Sequence, residues 1–115
     1  MKKQLTMVLS FLLVSMFSFA QTKDSTLTEK IKVWGICDMC KTKIEKAAKA
    51  AGAATADWND ESKVLNVTYS ATKSNNKKIQ QKVAYAGYDT QDLRTTDAAF
   101  NKLPGCCKYD RKPQQ

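Results

Sequence analysis

Apolar and polar residues alternate along three short stretches of this 115-residue chain, at residues 29–34, 54–58 and 65–69. Successive side chains of a strand point to opposite faces of a sheet, so this alternation predicts three half-buried β-strands. Residues 59–62, Asn-Asp-Glu-Ser, are typical of a turn. We therefore expect the second and third strands to form a hairpin.

Apolar residues recur at helical spacing in two further stretches. Over residues 41–51 they are offset by three, four and seven positions from Ile44, which describes one face of a helix. Gly52 follows where a C-terminal cap is expected. Residues 75–86 have a similar apolar face, with Ser74 as the expected N-terminal cap and Gly87 at the end. Residues 88–93 predict a weaker, last strand.

The order of these elements is strand, helix, strand, strand, helix, strand, which is the order of the ferredoxin-like fold. We therefore predict an α+β domain over residues 28–93, a four-stranded antiparallel sheet with two helices on one face. Residues 21–27 are polar and predict a flexible lead-in. Residues 94–115 form a short C-terminal extension, in which Thr96 is expected to cap a helix that Pro104 ends. Residues 108–115 are expected to fray.

The N-terminal 20 residues have the organisation of a secretory signal peptide. A basic head, Lys2 and Lys3, precedes a mostly apolar core and a small-x-small end at Ser18-Phe19-Ala20. We expect cleavage near Ala20 and a periplasmic or secreted protein. The apolar core is shorter than the roughly 20 residues of a membrane span, so we expect no span after cleavage.

The formal net charge is +8 at pH 7, and the chain has no histidine. The lysines are not interleaved with aromatic residues as on a nucleic-acid-binding surface. We therefore expect a solvated basic face and no nucleic-acid partner. We find no nucleophile–base pair, phosphate-binding loop or convincing pair of carboxylates, and we expect that the protein is not an enzyme.

Cys37 and Cys40 stand two residues apart between the first strand and the first helix. Cys40 is expected in or near the first helical turn and Cys37 just before it, where backbone N–H groups and the helix dipole favour a thiolate. Lys41 and Lys43 are expected to offset the negative charge. Without histidine, a transition-metal site here must rely mainly on sulfur, which selects soft ions such as Cu(I) and Zn.

The chain resembles the heavy-metal-associated domain family from about Thr28 to Leu93. The resemblance depends on Cys37-x-x-Cys40, on residues 44–47 (Ile-Glu-Lys-Ala) in the helix and on residues 86–89 (Ala-Gly-Tyr-Asp) before the last strand. It implies that the two cysteines bind one soft ion and pass it on by thiolate exchange. It also implies a metal-transporting ATPase or efflux component as partner, and places Tyr88 near the site.

Two features depart from the family pattern. Gly35 stands where many members have a buried methionine that supports the metal loop, and Met39 is not an obvious substitute. Cys106 and Cys107 lie beyond the core domain. They are interpreted as auxiliary metal ligands, as extra ligands of the first site or as disulfide partners. If both folded back, four sulfurs could make a tetrahedral site that suits Zn.

We expect an exported protein that binds a soft metal ion and acts as a chaperone or scavenger. The expected ion is Cu(I), and Zn and Hg are the other candidates. The alternative is a periplasmic thiol–disulfide oxidoreductase, because Cys-x-x-Cys at a helix start is also a redox motif. A protein-interaction module with structural cysteines is the third hypothesis. The sequence leaves the oligomeric state open.

Overall fold

The computed structural model describes residues 25–113. The elements in chain order are β1 (Thr26–Lys32), α1 (Asp38–Ala50), β2 (Ala53–Trp58), β3 (Val64–Ser70), α2 (Asn76–Tyr85), α3 (Asp97–Asn101) and a 3-10 turn (Gly105–Cys107). The predicted signal peptide, residues 1–20, lies outside the described residues. Within residues 25–113, no helix is long and apolar enough to cross a membrane.

The strands form an antiparallel sheet in the order β1-β3-β2, with β3 in the centre. The predicted hairpin is confirmed, and Trp58 of β2 lies opposite Leu65 of β3. The Asn59 side chain forms the turn by accepting hydrogen bonds from the backbone N–H groups of Glu61 and Ser62. Lys63 then takes a positive φ of 61° to enter β3.

One face of the sheet is covered by the two long helices. Alternate residues of β3 point into a core, and the apolar faces of α1 and α2 pack into the same core, as the helical spacing predicted. The core residues from these three elements include Leu65, Val67, Tyr69, Ile44, Ala48, Ile79 and Val83. Asn75, rather than the predicted Ser74, caps α2 by accepting a hydrogen bond from the backbone N–H of Lys78. Ser74 donates instead to the carbonyl of Ala51, 2.7 Å away. The predicted helix ends are confirmed, with Gly52 and Gly87 at φ values of 109° and 113°.

The predicted fourth strand is wrong, because the sheet has three strands within residues 25–113. Residues 88–93 run beside the free edge of β1, but the bridge pairing there is a single pair, between Val33, just after β1, and Thr90. The next β1 N–H, on Lys32, donates to the side chain of Gln91. The Thr90 N–H donates to the carbonyl of Leu93, 2.8 Å away. This tight turn takes the place of further ladder pairs.

The fraying predicted for residues 108–115 is wrong for the part that the structure describes, up to residue 113. Tyr109 is only 4% exposed, stacks on Tyr88 and meets Phe100 edge-on. Its hydroxyl donates to the carbonyl of Gly87 and accepts from the backbone N–H of Asp89. The extension therefore packs onto the loop after α2. The predicted cap of its short helix is confirmed, since Thr96 accepts from the Ala99 N–H.

Candidate metal centre

Cys37 and Cys40 lie at the start of α1, as their position in the sequence predicted. Cys37 is the N-cap residue and has extended backbone angles, while Cys40 is in the first helical turn. Their sulfur atoms are 3.7 Å apart. The hydrogen bond from the backbone N–H of Cys40 is the main cause that lowers the pKa of the Cys37 thiol. The helix start therefore favours a thiolate at Cys37.

A third sulfur atom comes to this pair from the C-terminal extension. Cys107 Sγ is 4.0 Å from Cys37 Sγ, and the three sulfurs of Cys37, Cys40 and Cys107 all lie within 4.8 Å of one another. Sulfurs about 2.3 Å from one ion in a trigonal plane are separated by about 4.0 Å. The three sulfurs therefore have the spacing of a three-coordinate thiolate site.

The three cysteines differ in exposure and charge. Cys40 and Cys107 are fully buried, and Cys37 is half-buried. Burial is the main cause that raises the pKa of Cys107 to about 12, so this thiol is neutral near pH 7. All four cysteines of the chain have free thiols in the structure. Cys37 is therefore the most exposed of these three sulfurs.

Cys106 does not join this group. Its exposed thiol donates a long hydrogen bond to Met39 Sδ, 3.6 Å away, and lies 4.0 Å from Cys107 Sγ. Adjacent residues point in different directions, so the 3-10 turn directs one sulfur inward and the other to the surface. The four-sulfur tetrahedral site considered from the sequence is therefore not assembled. The metal-ligating roles of all four cysteines stay predictions.

The Tyr88 side chain reaches the sulfurs from the loop after α2. Its ring is fully buried, and its hydroxyl has no hydrogen-bond partner of good geometry among residues 25–113. Burial raises the pKa of this phenol, and the neighbouring sulfurs of Cys40 and Cys107 raise it further. The position near the site that the family resemblance implied for Tyr88 is the one observed. Buried hydroxyls normally have a partner, so within residues 25–113 this phenol is a donor without an acceptor, beside a sulfur group.

The expectation that Lys41 offsets the charge of the thiolates is not met. Its ammonium group lies 2.7 Å from Glu45 and 2.6 Å from Asp57, and it donates to the carbonyl of Trp58. The hydrogen bonds that Lys41 donates to Asp57 and Glu45 raise the pKa of this lysine. Two carboxylates therefore neutralise this lysine at the junction of α1 and β2.

The indole of Trp58 occupies the space beside the loop that carries Cys37. A Cβ atom on Gly35 would lie 3.0 Å from two ring carbons of Trp58 and 3.2 Å from Ile44 Cδ1. The Trp58 Nε1–H donates to the carbonyl of Val33, 3.0 Å away, which fixes the ring. Trp58 of β2 therefore takes the space beside Gly35, the position at which the family resemblance implied a methionine.

The sequence analysis assigned no role to Arg111, which docks the segment that carries Cys107, and it singled out Asp89 only as part of the motif at residues 86–89. Arg111 forms an ion pair with the fully buried Asp89 and donates to both of its carboxylate oxygens. Asp89 Oδ1 also accepts from the Thr95 N–H, and Oδ2 from the Lys112 N–H. Burial opposes ionisation, but the Arg111 and backbone hydrogen bonds outweigh it and lower the pKa of Asp89. The only sequence signal was an aromatic residue and an arginine just after the cysteine pair.

No protein-family model and no curated protein matches the sequence. Solved structures do match it. The CopZ metallochaperone is 29% identical with a TM-score of 0.53, and the match covers 56% of this chain and 98% of CopZ. Oxidised MerP from Ralstonia metallidurans CH34 is 28% identical with a TM-score of 0.55, covering 58% of this chain and 96% of MerP.

The resemblance to the heavy-metal-associated domain family is confirmed. The three-stranded antiparallel sheet with helices corresponds to the ferredoxin-like fold of these neighbours. CopZ is a metallochaperone, which agrees with the expectation of a protein that is not an enzyme.

Proposed function

We propose that this protein binds one soft metal ion, Cu(I), between the thiolates of Cys37 and Cys40 and acts as a chaperone or scavenger in metal homeostasis. The observation that supports this most strongly is the 3.7 Å separation of the two sulfurs at the start of α1. Thiolates favour soft ions over Mg or Ca, and Zn and Hg are the other ions that such a pair takes. The metal is the cargo of the protein, released by exchange for thiolates of a partner.

The proposal includes a location and a partner. The sequence of residues 1–20 supports export to the periplasm or beyond, with cleavage near Ala20. The likeness to CopZ, a metallochaperone, supports delivery to a metal-transporting ATPase or efflux component.

Native mass spectrometry of the reduced mature chain, residues 21–115, with competing Cu(I) and Zn tests the proposal. We expect one Cu(I) per chain, and we expect Cys37→Ser and Cys40→Ser each to weaken binding more than about 100-fold, since even residues behind metal ligands contribute 10- to 100-fold. Cys106→Ser is the matched control, because this thiol is exposed and outside the sulfur group. Absence of Cu(I) uptake by the parent chain would contradict the proposal.

The second candidate function is thiol–disulfide exchange by the same cysteine pair. The lowered pKa of the half-buried Cys37 thiol favours it, because the thiolate is the attacking species in such exchange. An insulin-reduction assay, together with the reduction potential of the Cys37/Cys40 pair, distinguishes the two. Efficient turnover in this assay supports the oxidoreductase, and its absence together with Cu(I) uptake supports the metal carrier.

A further inference from the structure

We propose that Cys107 is the third sulfur ligand of the ion, and that the docked C-terminal extension delivers it. The inference rests on the proposed function, since it concerns the same ion. The third ligand changes the site from an open pair of thiolates into a three-coordinate centre. This centre retains the ion until the extension undocks.

The first support is geometric. Cys107 Sγ is 4.0 Å from Cys37 Sγ, close to the 3.7 Å that separates the sulfurs of the Cys37/Cys40 pair. An ion at about 2.3 Å from each sulfur therefore fits among the three with little movement. Cys107 is fully buried, so its sulfur already faces the group rather than the solvent.

The second support is the Tyr88 hydroxyl. This buried donor has no partner of good geometry among the described residues, and Cys40 and Cys107 are its neighbouring sulfur groups. A thiol is a weak acceptor, whereas a metal-bound thiolate carries negative charge and accepts more strongly. When the ion binds, Tyr88 gains an acceptor in one of these two sulfurs.

The third support is that the segment carrying Cys107 is docked by further contacts besides the hydrogen bond from Cys37 Sγ to the Cys106 carbonyl. Two residues later, Tyr109 stacks on Tyr88, and its hydroxyl bonds to the backbone of Gly87 and Asp89. Arg111 adds its ion pair with Asp89. The extension is therefore docked by its own aromatic and ionic anchors, and the third ligand is in place before the ion arrives.

Loading and release balance without any change of oxidation state. Each thiol that coordinates the ion gives its proton to water. On delivery, the bond from the ion to Cys107 breaks as a bond to a partner's thiolate forms, and Cys107 then takes up a proton. The half-buried Cys37 is where the incoming ligand first reaches the ion.

X-ray absorption spectroscopy of the Cu(I)-loaded mature chain tests the inference by counting sulfur neighbours. We expect three sulfurs in the parent and in Cys106→Ser, the matched control with the adjacent exposed cysteine removed. We expect two in Cys107→Ser. The double variant Cys106→Ser/Cys107→Ser, also expected to show two, establishes that Cys106 does not take the vacant place.

Two sulfurs around Cu(I) in the parent would overturn the inference while leaving the proposed function intact. Three sulfurs in the parent that fall to two in Cys106→Ser would overturn it as well, because Cys106 would then be the ligand. Failure of the parent to take up any Cu(I) would instead contradict the proposed function. Should Cys107→Ser not fold, the counts in the parent and in Cys106→Ser decide alone.

A kinetic measurement gives a second readout. We expect Cys107→Ser to transfer Cu(I) to an excess of a soluble chelator about tenfold faster than the parent, equivalent to about 1.4 kcal/mol in barrier height. The same chelator is used for every variant. Equal transfer rates in the parent and Cys107→Ser would count against a retaining role for the extension.

Discussion

Gly35 and Trp58 illustrate how one residue choice constrains another beside the sulfur group. Trp58 is 1% exposed, and its indole is fixed by the hydrogen bond to Val33. The ring lies so close to Gly35 that a Cβ atom there would approach it to 3.0 Å. Trp58 and Ile44 are both buried, so an added Cβ would press on packed side chains, and glycine is favoured in this loop by packing rather than by a positive φ.

Gly35→Ala is therefore expected to destabilise the fold by about 1–3 kcal/mol, the usual cost of overpacking a well-packed core. Urea unfolding followed by tryptophan fluorescence measures it. Gly105→Ala is the control, because an added Cβ there meets no atom within 4 Å. A Gly35→Ala midpoint equal to that of the parent would show that the loop yields more easily than its contacts indicate.

At the scale of elements, the loop between α2 and α3 joins the domain to its extension. Asp89 is fully buried and accepts hydrogen bonds from Arg111 and from the N–H groups of Thr95 and Lys112. The same residue's backbone carbonyl accepts from the Trp34 N–H, 2.9 Å away, at the edge of β1. One carboxylate thus ties together a loop and the tail that carries Cys107.

Asp89→Asn is expected to cost about 3 kcal/mol at pH 7, because it leaves the guanidinium of Arg111 without its buried counter-charge. The folded pKa of Asp89 is lowered from its ordinary value of 3.8, so the parent's advantage is complete above that value. It is lost as the pH falls through the lowered folded pKa. Unfolding free energies of parent and variant, measured between pH 7 and pH 2, should converge at the acid end.

Asp57→Asn serves as the control for the loss of a carboxylate. The Asp57 side chain is 79% exposed and pairs with Lys41 on the surface, where ion pairs contribute at most about 1 kcal/mol. A cost for Asp89→Asn no larger than that for Asp57→Asn would contradict the anchoring role of Asp89.

For the whole molecule, the proposed site couples ion binding to folding. Two of its three sulfurs, those of Cys37 and Cys107, are 70 residues apart in the chain. An unfolded chain does not hold the three sulfurs together. An ion that binds only the folded form stabilises it by mass action. The coupling extends to the C-terminal extension, which is part of the site only when it is docked.

Saturation with Cu(I) is therefore expected to raise the free energy of unfolding by about 2.7 kcal/mol when the free ion is at 100 times its dissociation constant. Thermal unfolding of the reduced chain with and without Cu(I) measures this. We expect no increase for Cys37→Ser. Limited proteolysis should show slower cleavage within residues 108–115 in the loaded parent, and equal cleavage rates would contradict the coupling.

Local pattern was enough to predict the helices, the hairpin and the place of the Cys37/Cys40 pair. The physical reason is that strand alternation, helical spacing and glycine caps act over a few residues, and so does the helix start that positions two cysteines two residues apart. The family resemblance added Tyr88 for the same reason, since its motif is local.

Tertiary structure alone decided which distant residues meet. Residues 88–93 have the composition of a strand, but the turn from Thr90 to Leu93 ends the pairing after one residue pair. Cys106 and Cys107 are identical in type and adjacent in sequence, and the 3-10 turn together with the docking of Tyr109 and Arg111 places Cys107 inside. Long-range packing and a buried ion pair determine which of the two is buried. Tyr109 and Arg111 lie about 20 residues from their partner Asp89 along the chain, and no local sequence pattern extends that far.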